Sequence, residues 1–189
     1  MKYTARILLL LIAVLIVVMV VNSTSSTSTP ETTVDNQIET NDLTSQTIER
    51  CYAHKDLQEI DEETTLYGFS FLRATINGMQ VEGSYENYPA EKDAMYGSFM
   101  GEVNVDANSG AYLLTTLYAY SAEGMENTEE KYFILNTDQA YVGYGQMSQN
   151  DNGLYMYEDP TMVDFTYTIP MVSCEKYDEL YNEFSELRG

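Results

Sequence analysis

A β-hairpin pattern at residues 77–86, Asn-Gly-Met-Gln-Val-Glu-Gly-Ser-Tyr-Glu, decides the fold class. The Asn77-Gly78 pair is a strong turn signal, because both residues tolerate positive φ angles. After this pair, apolar or small residues alternate with polar ones through residue 86. A period of two is typical of a strand that buries one face. The stretch therefore predicts a strand that follows a tight turn.

The same period recurs from about residue 49 to residue 169. Alternating segments lie at 95–106 and 163–169, and further strands are predicted at 65–76, 111–121, 131–135, 140–147 and 154–158, with another around Cys51. Each strand follows the last at hairpin distance, which leaves no room for crossover helices and predicts an antiparallel sheet. Eight or nine such strands predict a mainly β fold, either an up-and-down β-barrel or a sandwich.

The period changes after Pro170. Apolar and aromatic residues then follow the i, i+3, i+4, i+7 spacing of one helix face: Tyr177, Leu180, Tyr181, Phe184 and Leu187. This spacing predicts a short C-terminal amphipathic helix that caps the barrel or packs on its wall. A partner-binding helix is the alternative, and docking on the core is the favoured interpretation.

The N-terminus has the layout of an export signal. Lys2 and Arg6 precede an unbroken apolar run at residues 7–21. This run is shorter than the ~20 residues that comfortably span a bilayer. Residues 1–23 are therefore predicted to be a signal peptide, with Thr24 as the new N-terminus, or an uncleaved signal anchor. Residues 24–45 follow as a Ser/Thr-rich flexible linker, and residues 46–189 as the acidic domain.

Charge limits the partners of this domain. The chain has 30 acidic and 9 basic residues, and Lys2 and Arg6 belong to the N-terminal segment, so the remainder has a formal charge of −23. Such a surface repels phosphate backbones and anionic lipid headgroups, which disfavours nucleic-acid binding and leaves only the N-terminal segment to contact a membrane. The charge favours solubility and could attract cations or a basic partner.

Cys51 and Cys174 are the only cysteines and bracket the domain. After export, paired cysteines usually form a disulfide, which here would close a loop of 123 residues and stabilise the fold by about 4–5 kcal/mol at best. Two free thiols or a metal pair are the alternatives. With His54 as the only histidine, the two thiols do not complete a four-ligand zinc site, so no metal site is predicted.

No complete catalytic constellation is present. The sequence has one histidine, two cysteines that are better explained by each other, and no G-x-S-x-G elbow, so no catalytic residue is predicted. No cofactor is predicted either. The weak candidates for ligand binding are Lys92 and Asp93 on a loop after Pro89, Glu123 after a long apolar strand, and Tyr144 between two glycines. Glu123 could lie at a barrel mouth, although an exposed turn is the favoured interpretation.

The strand region resembles a group of uncharacterised small exported proteins and lipoproteins of bacterial cell envelopes. The motifs behind this resemblance are Cys51-Tyr52, Glu91-Lys92-Asp93 before Gly97 and Gly101, the run at 118–124, Gly143-Tyr144-Gly145, and a closing Phe165 and Cys174. The resemblance covers about residues 51–174 and implies a small β-barrel held by its end cysteines, on the periplasmic or extracellular side. It implies no activity. This chain departs from the group in having no lipobox cysteine and in its C-terminal helix.

Three functional hypotheses follow. The favoured one is a non-catalytic exported module with a binding or structural role, whose small-molecule or protein partner the sequence does not identify. The first alternative is a lipocalin-like carrier of a small apolar ligand. It needs a hollow barrel, whereas Met95, Phe99, Leu113, Leu117 and Phe133 are predicted to fill the interior. The second alternative is a hydrolase that uses paired carboxylates.

Overall fold

The computed structural model describes residues 47–59, 65–90 and 93–188. The predicted signal or anchor at 1–23 and the linker at 24–45 lie outside these residues. Within the described part of the chain, no helix combines the length and the apolar character needed to cross a bilayer.

The described residues form a mainly β fold, as predicted. The strands are β1 (Thr47–Glu59), β2 (Thr65–Asn77), β3 (Gln80–Tyr88), β4 (Met95–Val105), β5 (Tyr112–Ala122), β6 (Met125–Leu135), β7 (Gln139–Tyr144), β8 (Met147–Gln149), β9 (Tyr155–Tyr157) and β10 (Asp164–Val172), and one helix, α1 (Cys174–Arg188), follows them. Two segments differ from prediction. The strand expected at 131–135 begins earlier, at Met125, and the segment at 140–147 divides into β7 and β8.

The sheet closes into a barrel, which decides between the two predicted architectures. Strands β1 to β7 pair as consecutive antiparallel neighbours, and β10 lies between β7 and β1. The eight barrel strands are therefore β1–β7 and β10. The short β8–β9 hairpin lies outside this ring, and β9 makes one parallel bridge to β6, between Tyr155 and Glu129.

The barrel has two chemically different ends. The β2–β3, β4–β5 and β6–β7 turns lie at one end, and the inward side chains near them are apolar, including Ile76, Val103 and Leu135. The β1–β2, β3–β4 and β5–β6 connections lie at the other end, which we call the mouth. Phe99 and Phe133 fill the interior as predicted, whereas Leu113 and Leu117 do not. These two leucines belong to the outward phase of β5 and are 40% and 48% exposed.

Glycines on β4 allow close packing of β5 against it. A Cβ atom at Gly97 would lie 2.1 Å from the Ala119 carbonyl oxygen, and one at Gly101 would lie 2.1 Å from the Thr115 carbonyl oxygen. Real side chains cannot occupy such positions, so the close approach of the two backbones requires glycine.

Helix α1 packs on the outer wall of the barrel. Its Tyr177 and Phe184 are buried against the outward face of β1, β2 and β3, where Phe69, Phe71 and Tyr88 lie. The predicted disulfide joins Cys51 in β1 to Cys174 at the first residue of α1, with Cα atoms 5.2 Å apart. The helix therefore covers the wall rather than an end of the barrel.

Candidate functional site

Polar side chains point inward near the mouth, where the apolar filling ends. Strand alternation requires this direction, because Ser70 continues the inward phase of Leu72 on β2 and Asn87 that of Tyr85 on β3. On β10, Tyr167 continues the phase of Ile169. The mouth thus collects polar groups from three strands that are far apart in sequence.

Three of these groups form a compact hydrogen-bond cluster, which we call the mouth cluster: Ser70, Asn87 and Tyr167. The Ser70 Oγ lies 2.5 Å from the Tyr167 hydroxyl and 3.1 Å from Asn87 Oδ1, and the Tyr167 hydroxyl lies 3.3 Å from the same Oδ1. Asn87 Oδ1 can only accept hydrogen bonds, and the two hydroxyl groups supply two protons for the three contacts. One hydroxyl therefore donates to the other, and the second proton is donated to Asn87 Oδ1. The side chain of Ser70 is buried.

A cavity of about 680 Å³ opens beside the mouth cluster. The three cluster residues line it together with His54 and Asp56 of β1, and its wall also includes Thr166 and Thr168 of β10 and Pro89 of the β3–β4 connection. His54 and Asp56 are exposed at the rim, whereas Ser70 lies deeper. The cavity therefore combines a fixed polar floor with titratable groups at its entrance.

A buried ion pair lies in the interior on the mouth side of the core. Lys131 Nζ lies 3.2 Å from Glu129 Oε1, and the two residues are only 3% and 8% exposed. The ammonium group also lies 4.2 Å from the centre of the Tyr144 ring. Burial lowers the pKa of Lys131, and the nearby Glu129 carboxylate opposes this shift.

Tyrosines surround the ion pair. The Tyr85 and Tyr144 hydroxyls are 3.0 Å apart, and the Tyr118 hydroxyl donates to the Tyr85 carbonyl oxygen at 2.7 Å. Although Tyr144 is 38% exposed as a whole, its hydroxyl reaches into this network. Burial raises the pKa of each of these three hydroxyls well into the alkaline range, so they remain protonated donors at neutral pH.

The β8–β9 hairpin covers the seam where β6 and β7 diverge. Their pairing stops after Phe133 and Val142. Beyond this point Tyr157 of β9 donates its hydroxyl to the Gly143 carbonyl oxygen at 2.8 Å, and its backbone N–H donates to Glu130 at 3.2 Å. This buried tyrosine therefore ties the hairpin to both strands beside the buried ion pair.

The structure separates the four weak ligand candidates. Tyr144 belongs to the interior network described above. Asp93 is exposed at the end of the β3–β4 connection and does not line the cavity. Glu123 is exposed in the β5–β6 turn with φ of 53°, in agreement with the favoured interpretation as a turn residue. Lys92 lies outside the described residues.

The described residues include one cluster of potential metal ligands, and its chemistry does not support metal binding. Across 47–59, 65–90 and 93–188, the one cluster of potential ligand atoms is Glu49 with Cys51 and Cys174. Both sulfur atoms of this cluster belong to the disulfide, so neither is a thiolate.

Sequence reasoning missed the mouth cluster and the buried ion pair. The sequence contains a signal for the pair. Phe133 and Leu135 point inward on β6, and the same alternation places Lys131 and Glu129 on the inward face. The predicted strand at 131–135 does not include Glu129, whereas β6 begins at Met125. Charged residues in the buried phase of a strand would have marked the position.

No protein-family model, curated protein or solved structure matches the chain.

Proposed function

We propose that this chain is a non-catalytic binding module that takes a small polar ligand at the mouth of its barrel. One observation carries the proposal: the cavity of about 680 Å³ has a floor made of the mouth cluster, whose polar atoms are already held in place. Hydrogen-bonding groups that are fixed before binding lose little conformational entropy when a ligand arrives. Concave sites with a few convergent polar groups are the usual form of small-molecule sites.

The filled interior supports a ligand at the mouth rather than an apolar cargo inside the barrel. Large side chains at the centre are fully buried and pack on one another, as Tyr85, Phe99 and Phe133 do with ring centroids 4.9–5.6 Å apart. A carrier of a small apolar molecule needs this volume to be empty. The polar floor also disfavours an apolar ligand, because such a ligand would displace water from the floor without offering hydrogen bonds in return.

The contacts of Ser70 support binding rather than catalysis. A serine nucleophile needs a general base within hydrogen-bond reach. The described partners of the Ser70 hydroxyl are instead an amide oxygen and a tyrosine hydroxyl, neither of which takes up a proton at neutral pH. The mouth cluster is therefore suited to recognition.

We further propose that the module functions outside the cytoplasm, secreted or tethered by its N-terminal segment. Two features support this location. The Cys51–Cys174 disulfide is of a kind that persists in oxidising compartments. The residues before the domain have the charge and apolar pattern of an export signal.

The proposed function can be tested by NMR of the isotope-labelled protein with a mixture of small polar compounds, including cations, anions and uncharged polyols. We expect shift changes concentrated at the cavity residues of β1, β2, β3 and β10. Asn87→Ala should abolish them, because the substitution removes the amide oxygen that anchors the pair of hydroxyl groups. Asn104→Ala is the matched control, since Asn104 is an exposed β4 residue near the opposite end of the barrel. If no compound perturbs the mouth, the proposed function is wrong.

A further inference from the structure

The ligand of the mouth cavity, we propose, is a small organic cation, an amine that binds as its ammonium form. This inference rests on the proposed function and specifies the chemical class of its ligand.

The electrostatic environment of the mouth is negative. Asp56 supplies a carboxylate to the cavity wall itself. Deeper in the barrel, the positive charge of Lys131 is matched by Glu129 at 3.2 Å, so the buried pair adds no net charge. Because the chain has 30 acidic residues against 9 basic ones, the long-range field has the same sign. A cleft with low-dielectric walls concentrates such a field and attracts cations.

Several side chains that line the cavity carry oxygen acceptors. The Asp56 carboxylate, Asn87 Oδ1 and the hydroxyls of Ser70 and Tyr167 all accept hydrogen bonds. An alkylammonium group has three donors and no acceptor, so it is complementary to this set. An anionic ligand would face the Asp56 carboxylate and is disfavoured by like charge.

The barrel already holds ammonium groups on tyrosine rings. Lys131 Nζ lies 4.2 Å from the Tyr144 ring centre, and Lys55 Nζ lies 4.1 Å from that of Tyr67. The ring of Tyr167 lines the cavity. An edge-to-face contact with the Tyr144 ring, with centroids 6.0 Å apart, keeps the Tyr167 ring in place. A cation beside Tyr167 would make the same type of contact, which becomes stronger when the cation is desolvated.

The size of the cavity limits the ligand. A volume of about 680 Å³ holds at most roughly 20 water-sized groups at about 30 Å³ each. A short aliphatic diamine fits within this limit, and the cavity is open to solvent, so a second ammonium group could remain hydrated. Folded proteins and nucleic acids are too large to enter, and only an exposed end group of such a molecule would fit.

The test compares two matched probes by isothermal titration calorimetry on the full chain at neutral pH. The probes are cadaverine and pentanediol, which has hydroxyl groups in place of the two ammonium groups. We expect cadaverine to bind and pentanediol to bind at least about tenfold more weakly, because only the diamine interacts with Asp56 by charge. Equal binding of the two probes would overturn the inference while leaving the mouth as a polar site.

Two variants separate a local contact from the general acidity of the protein. Asp56→Asn should weaken cadaverine binding about tenfold or more, whereas Asp93→Asn should leave it within about twofold. Both substitutions remove one exposed carboxylate, but only Asp56 lines the cavity. Equal effects of the two variants, or no effect of Asp56→Asn, would overturn the inference. So would the absence of cadaverine binding. If uncharged or anionic compounds still perturb the mouth in the NMR experiment, the proposed function stands without the cationic ligand.

Discussion

Lys131 Nζ and Glu129 Oε1 lie 3.2 Å apart inside the barrel, although both residues belong to one strand. Residues two apart on a strand point to the same face. Because β6 includes both positions, the spacing of the two residues is enough to bring their side chains together. Because both side chains are buried, water does not solvate either charge. Each charge is therefore stabilised mainly by the other.

Removing one member of this pair should be far more costly than removing both. We expect Lys131→Met to lower the free energy of unfolding by about 3–5 kcal/mol, because it leaves the Glu129 carboxylate buried without its partner. The double variant Lys131→Met/Glu129→Leu should recover much of this loss. Urea unfolding of the two variants and the wild type measures the difference.

The surface pair Lys176–Glu179 provides the control for that experiment. Its atoms are 3.0 Å apart, similar to the buried pair, but its side chains are 54% and 67% exposed. Lys176→Met should therefore change the free energy of unfolding by less than about 1 kcal/mol. If the buried and exposed lysine variants lose equal stability, the Lys131–Glu129 pair does not lie in the low-dielectric interior on which this prediction depends.

Buried tyrosines should make the fold sensitive to alkali. Burial is the largest cause that raises the pKa of Tyr52 and Tyr177 to about 12 from the ordinary value of 10.0. Between pH 10 and pH 12 the unfolded chain releases protons that the folded protein retains, so the free energy of unfolding falls as pH rises. Each pKa unit of difference is worth about 1.4 kcal/mol for a fully buried group.

Denaturant unfolding at neutral pH, at pH 10 and at pH 12 tests this prediction, together with tyrosinate absorbance. Tyr52→Phe should flatten the fall in stability, because Tyr52 is fully buried and its hydroxyl donates only to the Asn136 carbonyl oxygen among the described residues. Lys131 works in the opposite direction, since its lowered pKa makes stability rise with pH up to the ordinary lysine value of 10.5. A stability that stays constant above pH 10 would argue against burial of the tyrosines.

The β5–β6 turn offers a stabilising substitution. Glu123 and Gly124 have φ angles of 53° and 75° and form a two-residue turn between the paired residues Ala122 and Met125. Positive φ at both positions is the pattern of a type I′ turn, in which asparagine is preferred at the first. We expect Glu123→Asn to raise the free energy of unfolding by about 1 kcal/mol.

Glu126→Asn is the matched control for the turn substitution. Glu126 is also exposed, but it lies in β6, where asparagine is a poor strand former. Thermal unfolding should show a higher midpoint for Glu123→Asn and an unchanged or lower midpoint for Glu126→Asn. A gain in both variants would attribute the effect to lower net charge rather than to turn geometry.

Phe184 should contribute a large part of the non-covalent packing between α1 and the barrel wall. Its ring lies 4.2 Å from the Tyr88 ring and 5.2 Å from the Phe69 ring, measured between centroids. Phe184→Ala should cost about 3–5 kcal/mol, the usual range for deleting a buried aromatic ring. Leu187→Ala, at a position 58% exposed on the same helix, should change stability by no more than about 0.5 kcal/mol. If both variants lose similar amounts of stability, the Phe184 ring does not have the special role in helix packing that we expect.

Strand period and turn chemistry predicted most of the fold, because they are local properties of the sequence. The hairpin after β2, the C-terminal helix and the Cys51–Cys174 disulfide formed as expected. The turn of that hairpin differs by one residue from the predicted Asn77-Gly78 pair, because Asn77 pairs with Gln80 and the two turn residues are Gly78 and Met79. The closure of the sheet was less accessible, since it depends on the pairing of β10 with β1, which are far apart in the chain. Local patterns did not distinguish this closed ring from two stacked sheets.

The mouth was harder to predict than the strands that build it. Ser70, Asn87 and Tyr167 belong to three strands, and nothing within any one strand marks their meeting point. Their approach depends on the exact register of each strand and on the bulge between Asp164 and Tyr167 in β10. The mistake at Leu117 had a similar origin, because an apolar residue in a strand was assigned to the interior although its phase points outward.

The disulfide also determines how the domain responds to mechanical load. Tension along the chain enters at the start of β1, passes through the bond between Cys51 and Cys174, and leaves along α1. The residues between the two cysteines lie off this path. Pulling on the two ends can peel the first residues of β1 and the helix, but it cannot unravel the barrel while the covalent bond is intact. The mouth is thereby shielded from stretching forces that act on the polypeptide.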